Sequence, residues 1–474
     1  MKIFNNLYCD GKWVASHGQG TTDVINPANG EIVGRIPCGD AADVDRAAKA
    51  AKAAFASWST TPPAQRAQFI AKIADGLEKH QNEMAQLIMS ELGCPISLST
   101  AVQVGLPVAV CRSYIELADT MQKQEQIGNS LILREPIGVC GFITPWNYPL
   151  HQIVAKVAPA LAAGCTVVLK PSQETPLNAF LFAQIIDEAG LPPGVFNLVS
   201  GKGAVVGEAI ASHPDVDMVS ITGSTSAGIR VAELAAKTVK RVSQELGGKS
   251  ANIILEGADL VDAVSKGVQQ IIFNSGQTCS ALTRMLVPAK RQAEAVEIIK
   301  ATLAAVQPGV PEDPATMMGP LVSEGQRETV VNYIRKGIAE GAELVAGGIE
   351  KPAGLERGAY VKPTVLANVK NDMVVAQEEI FGPVLCVLPY ETEAEAIQIA
   401  NDSPYGLSGA VWGKTKEDAI RVARQIRTGQ LSINGGDFNP LAPFGGYKQS
   451  GNGRELGPHA MNEFIELKAL NLPA

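Results

Sequence analysis

The chain has 474 residues, 46% of them hydrophobic and 19% charged, with a formal net charge of −8 at pH 7. That length exceeds what one hydrophobic core serves, so two or three domains are expected, and the composition excludes long disordered regions. The acidic balance, with no Lys/Arg run, argues against a nucleic-acid or anionic-membrane partner.

The start of the chain, from Met1 to Trp13, lacks the apolar core of a signal peptide. The longest nearly apolar stretch, Val157 to Leu169, is too short to cross a bilayer and contains Pro159 and Gly164. A cytoplasmic location is therefore expected. Eight cysteines without a C-x-x-C pair, and five histidines without H-E-x-x-H, make a disulfide scaffold or a metal site unexpected.

In chain order, Val24 to Val33 reads as two strands around the turn signal Asn29-Gly30. The Ala-rich stretch Asp43 to Trp58 has the apolar spacing of a helix. From Pro136, short apolar strands alternate with helices: strands at Gly138–Thr144, Thr166–Leu169, Val195–Val199 and Met218–Thr222, with helices from Leu150 and after Thr175, Gly203 and Ser224. A second alternation runs from Ala251 to Val411, with strands at Ala251–Leu255, Met285–Val287 and Val384–Leu388. Such alternation predicts an α/β protein with parallel sheets covered on both faces. Asn129–Arg134 and Glu463–Leu472 read as strands outside either alternation; they need an edge to pair with, which points to subunit pairing.

Two turns could hold a dinucleotide phosphate. The run Ile221-Thr222-Gly223-Ser224-Thr225 passes from a strand into a helix, whose free N–H groups and dipole favour an anion. Gly201, Gly203 and Gly207 make G-x-G-x-x-x-G, one residue longer than the Rossmann fingerprint. Two apparent motifs fail. Gly248-Lys249-Ser250 lacks the earlier P-loop glycine because Ser243 stands there, and a nucleophile elbow at Ser226 lacks its glycine because Ser224 does. Cys279 lies in a polar, glycine-bearing loop, Asn274-Ser275-Gly276-Gln277-Thr278-Cys279-Ser280, where a thiol is reachable. Upstream, Glu245 precedes Gly247-Gly248, after a predicted helix and before a buried strand, a position that aims the carboxylate inward.

Seven blocks in one order complete the reading: Thr144-Pro145-Trp146-Asn147-Tyr148-Pro149, Lys170-Pro171-Ser172, Gly223-Ser224-Thr225, Glu245-Leu246-Gly247-Gly248-Lys249, Gly276-Gln277-x-Cys279, Glu378-Glu379-Ile380-Phe381-Gly382-Pro383 and Pro443-Phe444-Gly445-Gly446-Tyr447-Lys448-x-Ser450-Gly451. In these blocks the sequence resembles the hydrolytic, NAD(P)-dependent aldehyde dehydrogenase superfamily over its whole length. The resemblance implies a dinucleotide-binding domain of residues 1–118 and 137–247, a catalytic domain of 248–445, and a bridging β element of 119–136 and 446–474 that pairs subunits into a homo-dimer or homo-tetramer.

It also implies roles. Cys279 would be the nucleophile, Asn147 and the Cys279 N–H the oxyanion donors, and Glu245 the base that activates a hydrolytic water. Lys156 and Glu466 match a pair that moves protons away from that base. Thr144, Trp146, Lys170, Ser172, Gln173, Gly203, Gly207, Gly223, Ser224, Glu379 and Phe381 would hold NAD or NADP. Gln173 is neutral where many NAD-preferring relatives carry glutamate, so NADP is expected to be accepted. Tyr148, Gln152, Ala155, Thr278, Ser280, Phe438 and Phe444 would line a roomy, uncharged pocket for an aliphatic or aromatic aldehyde. The rival readings are a CoA-acylating enzyme, which generally lacks a carboxylate at the position of Glu245, and a catalytically silent relative of the fold.

Overall fold

A computed structural model describes residues 1–473, built on two large sheets. The first has eight strands in the order Gly451–Asn452, Arg241–Glu245, Met218–Thr222, Val139–Ile143, Thr166–Lys170, Phe196–Leu198, Asn6–Cys9, Lys12–Ala15. The run from Arg241–Glu245 to Phe196–Leu198 is parallel, and antiparallel strands close both edges. The chain first lays strands outward from Val139–Ile143, then returns to add Met218–Thr222 and Arg241–Glu245 on its other side. That reversal opens a crevice at the carboxyl ends of Val139–Ile143 and Met218–Thr222, where open α/β sheets bind ligands.

The second sheet runs Glu343–Ala346, Thr364–Ala367, Val384–Tyr390, Arg284–Pro288, Ala251–Ile254, Gly409–Trp412, Ser432–Ile433, and is parallel apart from its first strand. Alternate residues of its strands enter opposite clusters: Ile253, Leu286, Cys386 and Leu388 on one face, Ile254, Met285, Val287 and Val387 on the other. Burial on both faces is why these strands read as continuous apolar runs.

Local chemistry sets the helix ends. Asp40 caps the Ala41–Trp58 helix and forms a reciprocal capping box with Asp43. Pro149 opens the Pro149–Ala163 helix and Gly164, at φ +96°, stops it. Every residue of that helix is buried, including the polar His151, Gln152 and Lys156 among otherwise apolar side chains and Pro149. The helical run Ile96–Gln122 has the length and apolar composition of a membrane span. Here it packs on the Pro63–Lys79 and Pro149–Ala163 helices, burying Val104, Val110, Cys111 and Tyr114 in the core.

The two strands outside the alternations pair with each other. Ile465–Asn471 runs antiparallel to Ser130–Pro136, and Glu125–Ile127 completes a three-stranded sheet. The structure departs from the expected division at 446–464: Gly451–Asn452 pairs with Arg241–Glu245 inside the first sheet. Glycine there accepts the +112° φ that lets the backbone turn onto the sheet edge.

Candidate active site

Cys279 sits at the end of a strained loop. Asn274, Ser275 and Gly276 are successively left-handed, at φ +49°, +56° and +71°. A non-glycine residue in that region costs roughly 1–3 kcal/mol, so the surroundings must hold it. Asn274 Nδ2 donates to the carbonyls of Asn147 at 2.9 Å and Gln277 at 3.2 Å, and Ser275 Oγ donates to Gly319 O at 2.9 Å. The Val322 N–H donates to Gln277 Oε1 at 2.9 Å. Gly276 is required twice over: a Cβ there would stand 2.3 Å from the Gly382 backbone.

Asn147 stands between the strand Val139–Ile143 and the Pro149–Ala163 helix, 3% exposed. Its carbonyl accepts from Gln103 Nε2 at 3.0 Å as well as from Asn274, and its Nδ2 donates to Gln277 O at 3.0 Å. One side-chain N–H is thereby tied to the Cys279 loop, while the other has no protein acceptor among the described residues.

Glu245 ends the strand Arg241–Glu245, rather than lying between a helix and a strand. It is 3% exposed, and neither carboxyl oxygen has a hydrogen-bond partner among the described residues. Burial, and then the charge of Glu455, push its carboxyl well above the usual range, with Lys156 opposing. Burial likewise raises the Cys279 thiol, followed by Glu245, Glu379 and Glu455. Gly248 lets these parts meet: a Cβ there would lie 2.4 Å from the Cys279 carbonyl oxygen. Its N–H donates to Glu379 Oε1 at 2.9 Å, and burial pushes Glu379 up to about 7. Beside Glu379, the rings of Phe381 and Trp146 meet edge to face, 5.2 Å apart. A thiol, a positioned amide donor and an unpartnered carboxyl are the parts of an acyl-transfer site.

A family model of the aldehyde dehydrogenase family matches residues 13–470. A 3-succinoylsemialdehyde-pyridine dehydrogenase of a Pseudomonas species is 49% identical, covering 99% of both chains. Among solved structures, aldehyde dehydrogenase C of Pseudomonas syringae, a cysteine-to-alanine mutant with NAD+ and octanal, superposes with a TM-score of 0.98 at 51% identity, over 99% of this chain and 98% of that one. A Mycobacterium tuberculosis aldehyde dehydrogenase with NAD+ gives 0.97 at 44% identity, covering 100% and 99%. The chain belongs to the aldehyde dehydrogenase family. Its reaction is the oxidation of an aldehyde to a carboxylic acid.

In this dehydrogenase the expected cofactor residues gather around the crevice at the carboxyl ends of the parallel strands. Thr144 and Trp146 follow Val139–Ile143, Lys170, Ser172 and Gln173 close or follow Thr166–Lys170, and Gly223 and Ser224 follow Met218–Thr222. Gly203 and Gly207 bound a short π-helical turn after Phe196–Leu198. Thr144 Oγ1 is enclosed without a partner. Lys170 Nζ donates to Pro171 O at 2.7 Å, and burial pushes the amine down to about 8. Ser224 caps the Thr225–Ala235 helix through the Ala227 N–H at 3.3 Å.

The expected substrate residues fall into two groups. Tyr148 Oη and Thr278 Oγ1 share a 2.7 Å hydrogen bond, and Gln152 and Ala155 continue the same helix face. Phe438 and Phe444 meet edge to face at 6.2 Å, and Phe438 with Ser280 lines a cleft of about 610 Å³.

The expected Lys156–Glu466 pair does not exist. Glu466 lies on the outlying strand Ile465–Asn471, 57% exposed, with Arg241 Nη2 at 2.9 Å. Lys156 instead donates to Glu455, to Thr222 Oγ1 at 2.6 Å and to Gln152 Oε1 at 3.3 Å, all buried. Glu455 is brought there by a backbone bridge with Phe444 at 2.7 and 2.8 Å. The sequence reading missed Glu455, Gln103 and Asn274. A carboxylate within the glycine-rich run Gly451–Gly457 was the available signal for Glu455; the two amides had none.

Proposed function

We propose that Cys279 is the catalytic nucleophile, Asn147 the oxyanion donor and Glu245 the general base of a hydrolytic aldehyde dehydrogenase. The single observation that carries this is Glu245: a buried carboxyl with both oxygens unpartnered, near enough to Cys279 to raise its thiol. A structural carboxylate would be hydrogen-bonded, whereas one that must accept a proton from water is left free. Cys279 loses its proton and adds to the aldehyde carbon, and the oxygen takes the negative charge. The unused Asn147 N–H and the Cys279 N–H donate to that oxyanion; the left-handed turn and the Gln103 and Asn274 clamps hold them for it. Loss of hydride from the adduct's carbon, to the acceptor that a bound nicotinamide dinucleotide would supply, would leave the Cys279 thioester; Glu245 then removes a proton from the water that attacks it, releasing the acid and regenerating the thiol. Burial makes Glu245 a stronger base than an ordinary glutamate. Lys156, with Glu455, Thr222 and Gln152, offers the proton an exit on the far side of the base.

The residues present fit a nicotinamide dinucleotide. The crevice has an orphaned Thr144 hydroxyl and a capped helix N-terminus at Ser224 for the pyrophosphate, with Lys170 beside the adenosine end and Glu379 and Phe381 at the nicotinamide end. Such a group supplies the hydride acceptor. NAD serves, as in the relatives crystallised with it, and NADP is accepted because half-buried Gln173 presents no negative charge. The substrate is an uncharged aldehyde, consistent with octanal and 3-succinoylsemialdehyde-pyridine in the relatives. The eight free cysteines support a reducing, cytoplasmic setting, and the outlying sheet supports a homo-dimer or homo-tetramer.

Rapid-mixing kinetics with Glu245→Gln test the reading. The variant should give a burst of NADH of about one equivalent per site, then turn over slowly, with the acyl mass on Cys279 visible in intact-protein mass spectrometry. Cys279→Ala should give neither burst nor adduct. Full turnover by Glu245→Gln without CoA would sink the assignment of the base.

A further inference from the structure

One buried polar side chain near this site is used by nothing described so far. His151 lies in the first turn of the Pro149–Ala163 helix, 8% exposed. Its Nδ1 is enclosed without a hydrogen-bond partner, and neither ring nitrogen is bonded among the described residues. A buried imidazole left so forfeits on the order of 1–3 kcal/mol relative to one that is bonded, and a purely structural histidine would be anchored.

Its position says what it can meet. Residues 148, 151, 152 and 155 are three and four apart and share one face of the helix. At the first of these, Tyr148 touches Thr278, next to Cys279; at the last, Ala155 has almost no side chain. His151 stands about one helical turn beyond Tyr148, the N-cap residue whose hydroxyl bonds Thr278. Burial, and then the Lys156 charge, push the imidazole down to about 4, so it is neutral at physiological pH and carries one N–H and one lone pair.

We propose that His151 is a specificity-determining residue, which hydrogen-bonds an uncharged polar group on the tail of the aldehyde, a few bonds from its reacting carbon. The tails that fit are ketone carbonyls, hydroxyls and heteroaryl nitrogens. A plain alkyl chain would bury the imidazole unsatisfied, and a carboxylate would gain no ion pair from the neutral ring, the nearby Lys156 being already paired with Glu455. The inference rests on the substrate side of the site proposed above and deepens it from uncharged aldehydes to those with a polar tail.

The test compares near-isosteric aldehydes in the native enzyme: 4-phenylbutanal, 4-(3-pyridyl)butanal, which adds only a ring nitrogen, and 4-oxo-4-phenylbutanal, which adds a carbonyl. At least one polar-tailed aldehyde should exceed 4-phenylbutanal in kcat/KM by about tenfold or more, because a site built around a hydrogen bond discriminates strongly. His151→Leu should erase that preference through KM, leave 4-phenylbutanal within about twofold, and keep the NADH burst when combined with Glu245→Gln; His151→Gln should restore part of the preference. Equal kcat/KM for all three in the native enzyme, or a uniform loss in His151→Leu, overturns the proposal while the Cys279 chemistry stands. Loss of the dehydrogenase mechanism itself would appear separately, as turnover surviving Cys279→Ala.

Discussion

Cys279 and Glu245 share a physical condition. Burial raises the proton affinity of each, and surrounding carboxylates raise it further. A thiol of this kind becomes a nucleophile only when its proton is taken, whereas the buried carboxyl is a correspondingly strong proton acceptor. The proposed acceptance of NADP turns on a different residue. Gln173 is half-buried just beyond Lys170, whose amine burial has brought down to about 8. A glutamate there would place a negative charge against a 2′-phosphate, a repulsion on the order of 1–2 kcal/mol, or roughly tenfold in relative affinity. Gln173→Glu should therefore depress kcat/KM for NADP selectively; an equal change for NAD and NADP in steady-state kinetics would show that this side chain does not face the 2′ position.

The helices illustrate how a buried charge can serve as a cap. Glu91, fully enclosed near the end of the Gln81–Leu92 helix, accepts from the Leu177 N–H at 2.7 Å, the Asn178 N–H at 3.1 Å and Asn178 Nδ2 at 2.7 Å. The two backbone N–H groups are free donors at the start of the Leu177–Ala189 helix, which has no side-chain cap of its own. Burial outweighs the three bonds and pushes Glu91 up to about 7. Because the folded protein holds this proton more tightly than the unfolded chain, the stabilisation is complete below the unfolded value of 4.5 and is lost as pH rises through about 7. The span corresponds to on the order of 3 kcal/mol. In urea unfolding at pH 5 and pH 8, Glu91→Gln should lose less stability between the two than the native protein does. Parallel losses would remove Glu91 as a source of the pH dependence.

At the scale of the whole molecule, the outlying sheet is an unfinished structure. Its strand Ile465–Asn471 leaves Leu467 67% exposed and Leu470 39% exposed, and Ile127 on the other edge strand is 59% exposed. Three strands with apolar side chains facing water suit the homo-oligomer interface proposed above, for which light scattering should find two or four chains per particle. Leu467→Arg with Leu470→Asp should reduce that mass to one chain; an unchanged assembly would place the interface elsewhere. Much of this architecture was legible in the order of residues. Strand–helix alternation depends on local periodicity, so the parallel strands from Gly138 to Thr222 and the second series from Ala251 appear where their apolar runs predict. Cys279 drew notice through its glycine-bearing polar loop, but its role came from the resemblance carried by the seven blocks. Partners distant in the chain could not be read in this way. Glu455 reaches Lys156 across 299 positions through a bridge to Phe444, and Glu466, equally acidic, is carried outward by strand pairing. Gln103, from a helix, and Asn274, from the left-handed turn before Cys279, clamp Asn147, and the raised proton affinities of Glu245 and Cys279 come from enclosure by several elements at once. Residue type and spacing determine which chemistry is available; which charges meet, and how much water reaches them, is decided only when the sheets close around them.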